Sequence, residues 1–168
     1  PDLLLTVGGA SMGEADLLKD VLEEMEMTLD FWRVRIRPGS PLSLGWLPDG
    51  VPVLSLPGNP ASAFVTFHLF ARPLIRTLLG SPTPHLPVIR ARAGEALHSA
   101  EHLCHFHRVR LDSAPDGAPT VHLNGPQGSG LVSGLAGATG LAVIPEGRSV
   151  VDAGEEVSCI RLDAHAEG

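Results

Sequence analysis

The sequence predicts an α/β domain built on a partial parallel sheet with helices, followed by a small all-β barrel-like domain. Three observations carry this reading. In the first half, apolar runs of strand length alternate with segments of helical period, the arrangement that yields a sheet covered by helices. Beyond Gly80 no strong helical period follows, and short apolar stretches recur between Gly, Pro, Asp and Asn clusters, as in a barrel or sandwich. Between these textures Ser81-Pro82-Thr83-Pro84-His85 reads as a connector, so the expected boundaries are 1–80, a linker at 81–86, and 87–168.

Taken in order, Leu3-Leu4-Leu5-Thr6-Val7 has the length and apolarity of a buried strand, and Gly8-Gly9-Ala10-Ser11-Met12-Gly13 follows as a loop. From Glu14 the period becomes helical, with Leu18, Val21, Leu22 and Met25 at spacings of three and four. In Phe31-Trp32-Arg33-Val34-Arg35-Ile36-Arg37-Pro38, alternation predicts a strand with Trp32, Val34 and Ile36 on one face and three guanidinium groups on the other. A Pro38-Gly39-Ser40-Pro41 turn and a strand at Pro52-Val53-Leu54-Ser55-Leu56 come next. A helix is expected from about Pro60 to Leu79, interrupted near Pro73 and stopped by Gly80. In the second half, strands are expected at 88–93, 106–111, 120–123, 141–144 and 156–162. Gly125-Pro126-Gln127-Gly128-Ser129-Gly130 is too rich in glycine to be a core element.

Composition narrows the function classes. Hydrophobic residues are 43% of the 168, enough for a packed core, yet the apolar stretches are too short and broken for a membrane span. The start, Pro1-Asp2-Leu3-Leu4-Leu5, lacks the basic region and cleavage pattern of a signal peptide, so a cytoplasmic protein is expected. A formal net charge of -7 argues against general nucleic-acid binding. Cys104 and Cys159 are far apart with no metal or redox spacing, and read as reduced structural thiols. His102, His105 and His107 lie near Cys104, but no second ligand pair of zinc spacing follows, and exposed histidines of a polar β domain are the expectation. No Gly-x-Ser-x-Gly elbow surrounds Ser11, and the Gly8-Gly9 loop matches neither a dinucleotide fingerprint nor a Walker loop.

What remains points to anions. Leu56-Pro57-Gly58-Asn59-Pro60-Ala61-Ser62 is a rigid turn that delivers Asn59 and Ser62 to a helix start, where unpaired N–H groups and the helix dipole attract phosphate or a similar oxyanion. An ordinary strand-to-helix connection with Asn59 as N-cap fits the same residues. Arg33, Arg35 and Arg37 offer paired hydrogen bonds to oxyanions, or form the solvated face of an amphipathic strand. The 125–130 loop presents backbone N–H groups and the Ser129 hydroxyl to an anion, or serves as a hinge. Glu14 and Asp16 open a helix beside the glycine loop, where a carboxylate, Asp16 above all, can hold Mg²⁺ jointly with phosphate oxygens.

Three segments in order, Thr6-Val7-Gly8-Gly9-Ala10-Ser11-Met12-Gly13-Glu14-Ala15-Asp16, Arg37-Pro38-Gly39-Ser40-Pro41 and the 56–62 turn, resemble the signatures of the molybdopterin molybdenumtransferase family, which includes MoeA and the gephyrin E domain. The resemblance runs through essentially the whole chain. The downstream half is similar to that family's C-terminal β-barrel domain, through His105-Phe106-His107-Arg108 and Gln127-Gly128-Ser129. The resemblance implies Mg²⁺-dependent insertion of molybdate into adenylyl-molybdopterin with release of AMP, by a cytoplasmic homodimer with no nucleic-acid or membrane partner. It implies that Asp16 handles Mg²⁺ and pyrophosphate, with Gly8, Gly9, Ser11, Gly13 and Glu14 around it. Arg37, Ser62, Arg108 and Ser129 would meet molybdate, and Arg33, Ser40, Pro57, Gly58, Asn59 and Pro60 would contribute to the cofactor-binding part. Charge-assisted bonds from Arg37 and Arg108 would offset the desolvation of a tetrahedral dianion, while the two hydroxyls orient it.

Departures from the family pattern qualify what the resemblance implies. Where many members carry lysine this chain has Arg33, Arg37 and Ser40, so one positive charge is lost. Members are also much longer, and the chain opens at a strand from the middle of their α/β domain, so a truncated chain that needs the missing part for activity is expected. Two alternatives stay open: a molybdopterin adenylyltransferase-like enzyme, which has no need of the β domain, and a non-catalytic binding or scaffold module.

Overall fold

The structure, a computed structural model, describes residues 1–8, 15–113 and 117–163, without the side chains of 15–19. Gly9, Ser11, Gly13 and Glu14 therefore lie outside the described residues, as does the Asp16 side chain. The first elements are β1 (Leu4–Val7), α1 (Ala15–Glu24), β2 (Thr28–Trp32), β3 (Ile36–Arg37), β4 (Ser43–Trp46) and β5 (Pro52–Leu56). A long helical segment comprises α2 (Pro60–Thr66), a π turn (Phe67–Ala71) and α3 (Arg72–Leu78). Strands β6 (Val88–Ala93), β7 (Leu97–His98), β8 (Cys104–Asp112), β9 (Thr120–Leu123), β10 (Gly140–Ile144), β11 (Val150–Val151) and β12 (Glu156–Arg161) complete the chain. Contacts divide it into two compact units, one of residues 1–34 and 39–84, the other of 35–38 and 85–168.

The first unit holds a four-stranded sheet in the order β1-β5-β4-β2. β1 runs parallel to β5, with Val7 opposite Leu56, and β4 and β2 add antiparallel neighbours. Strand β4 was not expected. It pairs with β5 through a tight turn in which Gly50 N–H donates to the Leu47 carbonyl at 2.9 Å. All five residues of β5 are buried, and Leu54 and Leu56 pack with Leu42, Ala71, Phe67, Phe70 and Leu74. Each of the fully buried leucines contributes ~1.5–3 kcal/mol, and this face fixes the helical segment on the sheet. The expected interruption at Pro73 takes a specific form. A proline inside a helix lacks an N–H and crowds the carbonyl four residues back; here the preceding turn widens, Arg72 N–H donates to the Phe67 carbonyl five residues back, and α3 begins with proline in its first turn.

The expected arginine strand is not continuous. β2 ends at Trp32, Arg33 takes a left-handed backbone (φ 79°), and Ile36–Arg37 joins a different sheet in the second unit. Val34 N–H donates to the Ser40 carbonyl at 3.0 Å, closing the excursion. The three guanidinium groups therefore do not line one strand face: alternation survives in the sequence, but a single positive φ turns the chain.

In the second unit β8, β10, β12, β6 and β9 close on one another as a five-stranded barrel, and β3 lies parallel beside the start of β8. Its core is Ala91, Ala93, Leu97, Val109, Val121, Ala142, Ile144, Val151, Val157 and Cys159. Alanines at 91, 93 and 142 and branched side chains at Val109, Val121, Ile144 and Val157 together fill a narrow barrel interior. Burial pushes the Cys159 thiol up to about 12, so it behaves as a small core hydrophobe. No described helix is long and apolar enough to cross a membrane.

Candidate functional site

In the first unit, two loops meet at the carboxyl ends of the parallel pair β1 and β5, the edge where open α/β sheets bind ligands. Gly8, with φ 96°, donates its N–H to the Leu56 carbonyl at 3.0 Å. A Cβ on Gly58 would stand 3.2 Å from the Gly8 Cα, so glycine at 58 lets the two backbones touch. Pro57 is buried, while Gly58, Asn59 and Pro60 are exposed at the rim. Asn59 is the N-cap residue in extended conformation (φ -65°, ψ 125°), Pro60 opens the helix, and Ser62 is buried within its first turn. The side chain of Asn59 makes no capping bond.

The second unit contains a more unusual feature. Arg108, in the middle of β8, is 0% exposed, which for a guanidinium is rare without a carboxylate partner. Among the described residues none pairs with it, and burial alone lowers its pKa, though a guanidinium stays protonated at neutral pH. Its Nη2 donates to the carbonyls of Pro126 (2.7 Å) and Gly128 (3.3 Å). Its Nε and Nη1 are buried with no hydrogen-bond partner. Glycine at 134 allows the loop to close over it: a Cβ there would lie 2.6 Å from the Pro126 carbonyl and 3.2 Å from Arg108 Nε. Asn124 holds that stretch by donating to the carbonyls of Gly134 (3.1 Å) and Ala136 (2.8 Å).

Alternation along β8 sends His105 and His107 to the face opposite Arg108, the face of core residue Val109. The expectation of exposed histidines holds for His102 but fails for these two, which are 7% and 4% exposed. They stack with ring centroids 3.9 Å apart. His107 Nε2 lies 2.8 Å from the His98 carbonyl, which only accepts, so Nε2 carries the proton and Nδ1 the lone pair. Burial drives the His105 pKa down to about 3, helped by His107, Arg37 and Arg108. Burial also lowers His107, against the opposing effect of its hydrogen bond to the His98 carbonyl. Arg37 is exposed and sits opposite His105 in the parallel β3–β8 pairing. Two buried imidazoles therefore share one face of β8, with Arg37 across from His105 on β3 and Arg108 on the strand's other face.

Of the residues singled out from the sequence, Arg37, Arg108 and Ser129 fall in the second unit around β8 and its covering loop. Ser129 follows Gly128, whose carbonyl holds the guanidinium. Ser62, Asp16, Arg33, Ser40 and Pro57 to Pro60 belong to the first unit. Arg35, on the same stretch as Arg37, pairs with Glu146 and with the His102 carbonyl. Sequence reasoning gave no role to Asn124 or Gly134, and none to the Gln127 side chain; a glycine-rich loop flanked by Asn and Gln was the available signal.

Comparison with known proteins bears on both units. The family described as "Probable molybdopterin binding domain" matches residues 1–77, and "MoeA C-terminal region (domain IV)" matches residues 90–162. The chain belongs to the MoeA family. Molybdopterin molybdenumtransferase 2 of Mycobacterium tuberculosis is 36% identical over 161 residues, covering 93% of this chain and 39% of that protein. Molybdopterin molybdenumtransferase of Haemophilus influenzae is 37% identical over 161 residues, covering 94% and 39%. The solved MoeA molybdopterin biosynthesis protein of Pyrococcus horikoshii superposes with a TM-score of 0.75 at 29% identity, over 98% of this chain and 38% of that one. The chain thus spans about two-fifths of the length of the MoeA relatives it matches.

Proposed function

We propose that the chain acts in molybdenum cofactor synthesis, taking part in Mg²⁺-dependent insertion of molybdate into adenylyl-molybdopterin with release of AMP. The observation that supports this most is Arg108. An enclosed cation without a carboxylate, with Nε and Nη1 unpaired, is a standing desolvation penalty that an oxyanion would relieve. Molybdate is a tetrahedral dianion that needs several donors. Arg108 supplies charged N–H groups, Ser129 a neighbouring hydroxyl, and Arg37 a second guanidinium beside the imidazole pair. In this reading the first unit has its own anion-binding rim, where the 57–60 turn takes the phosphates of the pterin nucleotide and Ser62 lies in the helix turn behind it. The relatives named molybdopterin molybdenumtransferase support the same chemistry.

Among the described residues no group of three or more His, Cys, Asp or Glu is arranged to hold a metal ion. The proposal assigns Mg²⁺ to Asp16 with substrate phosphate oxygens as co-ligands, and the ion would supply charge neutralisation at the adenylyl link. The protein residues position the two reactants and stabilise the negative charge that develops as that link breaks. A cytoplasmic homodimer without nucleic-acid partners belongs to the same reading. The test is AMP release from adenylyl-molybdopterin: release that requires both molybdate and Mg²⁺ is expected, and equal release without molybdate contradicts the proposal.

A further inference from the structure

Gln127 makes contacts that the proposed function leaves unused. On the β9 side of β8 the antiparallel register pairs Val109 with Leu123, and Asn124 N–H still donates to the Arg108 carbonyl at 2.9 Å. The chain then turns away at Gly125 (φ 68°). From there the Gln127 side chain takes over the ladder. Its Oε1 accepts from Arg108 N–H at 2.9 Å, and its Nε2 donates to the Arg108 carbonyl at 3.1 Å and the Gly125 carbonyl at 2.9 Å. One side-chain amide stands in for a peptide unit. The grip is returned, because Arg108 Nη2 donates to Pro126 and Gly128, the carbonyls on either side of Gln127.

We propose that Gln127 is a positioning residue, which locks the 125–128 loop onto β8 and thereby fixes the Arg108 guanidinium with Nε and Nη1 held for an oxyanion. This rests on the reading of Arg108 as an anion ligand. The residue type matters in two ways. Asparagine is one methylene short of reaching both backbone groups of Arg108. Glutamate would reach, but its carboxylate would repel the incoming anion and offer the guanidinium a permanent partner.

The full chain is titrated with molybdate by calorimetry as wild type, Gln127→Ala, Gln127→Glu, Arg108→Ala and the Gln127→Ala/Arg108→Ala double variant, and the Arg108 Nε–H is followed by nitrogen-15 NMR. In wild type the Nε–H signal is expected to be sharp and slow to exchange. In Gln127→Ala it exchanges faster, and molybdate binds about tenfold more weakly because the donors are no longer held in place. The double variant binds no more weakly than Arg108→Ala, since Gln127 acts only through Arg108. Gln127→Glu weakens binding at least as far through its charge, and if Gln127→Ala does not fold, Gln127→Asn, one methylene too short, is the judge by the same Nε–H and affinity readouts. An unchanged Nε–H signal and unchanged affinity in Gln127→Ala overturn the positioning role and leave the anion site standing. Additive losses in the double variant overturn action through Arg108. Failure of wild type to bind, or full binding by Arg108→Ala, overturns the site itself, and the Nε–H signal then still decides whether Gln127 holds the guanidinium.

Discussion

Lowering the pH from 8 to 5 destabilises the second unit through His105. The folded pKa is pushed down to about 3, first by burial and then by His107, Arg37 and Arg108, whereas the unfolded imidazole titrates near ~6.5. Between those values the unfolded chain binds a proton that the folded chain refuses. The contribution of the neutral ring is therefore complete above ~6.5, declines as the pH drops through that value, and continues to decline until the folded pKa is reached. Well below ~6.5 a single such group loses ~1.4 kcal/mol per pH unit, so by pH 5 the loss is about 2 kcal/mol. His105→Gln removes the titration while keeping a neutral polar side chain. Urea unfolding followed by far-ultraviolet circular dichroism at pH 8 and pH 5 is expected to show wild type losing about 2 kcal/mol more than His105→Gln. His107, also lowered by burial, acts in the same direction in both proteins. Equal losses, or an NMR titration in which the folded His105 ring ionises near 6.5, would refute the argument.

Other outcomes follow from the same packing. Gly134→Ala places a Cβ 2.6 Å from the Pro126 carbonyl, so the loop is forced outward; urea unfolding should register a loss of ~1–3 kcal/mol, with weaker molybdate binding measured calorimetrically. Ile144→Ala opens a cavity at a 0% exposed core position of the barrel and should cost ~2–5 kcal/mol by the same assay. Native Cys159, buried and with its pKa raised to about 12, should resist iodoacetamide at pH 8 and react only on unfolding, as read by peptide mass spectrometry.

Much of this arrangement was legible because its causes are local. The apolar run ending at Val7, the proline and glycine of the 56–62 turn, and the change of texture after Gly80 each act over a few residues. Pro73 announced an interruption for the same reason, although only the structure shows it as a π turn. Strand β4 escaped because Ser43–Trp46 is short and contains a glycine; Asp49-Gly50 before β5 was the hairpin signal that could have found it. Arg33 defeated the alternation argument because a positive φ at arginine leaves no mark in the sequence. The burial of His105 and His107 was hidden more deeply. Their shared face was readable from the spacing, but which face points into a barrel is set by pairing with β10 and β3, contacts far away in the chain. The Gln127 clamp depends likewise on a side chain completing a ladder across 19 residues.

The central claim is that Arg108 is kept buried and unpaired to receive an oxyanion, and Arg108→Met tests it most directly. Methionine fills a similar volume. It removes the buried charge, a relief of several kcal/mol, and forfeits two charge-assisted bonds to loop carbonyls of ~1.5–3 kcal/mol each, so net stability should change by less than ~2 kcal/mol. Calorimetric titration of the full chain with molybdate, alongside urea unfolding, separates the two roles. The account predicts saturable binding by wild type, none by Arg108→Met, and nearly equal stability. Equal molybdate binding by both proteins would contradict it.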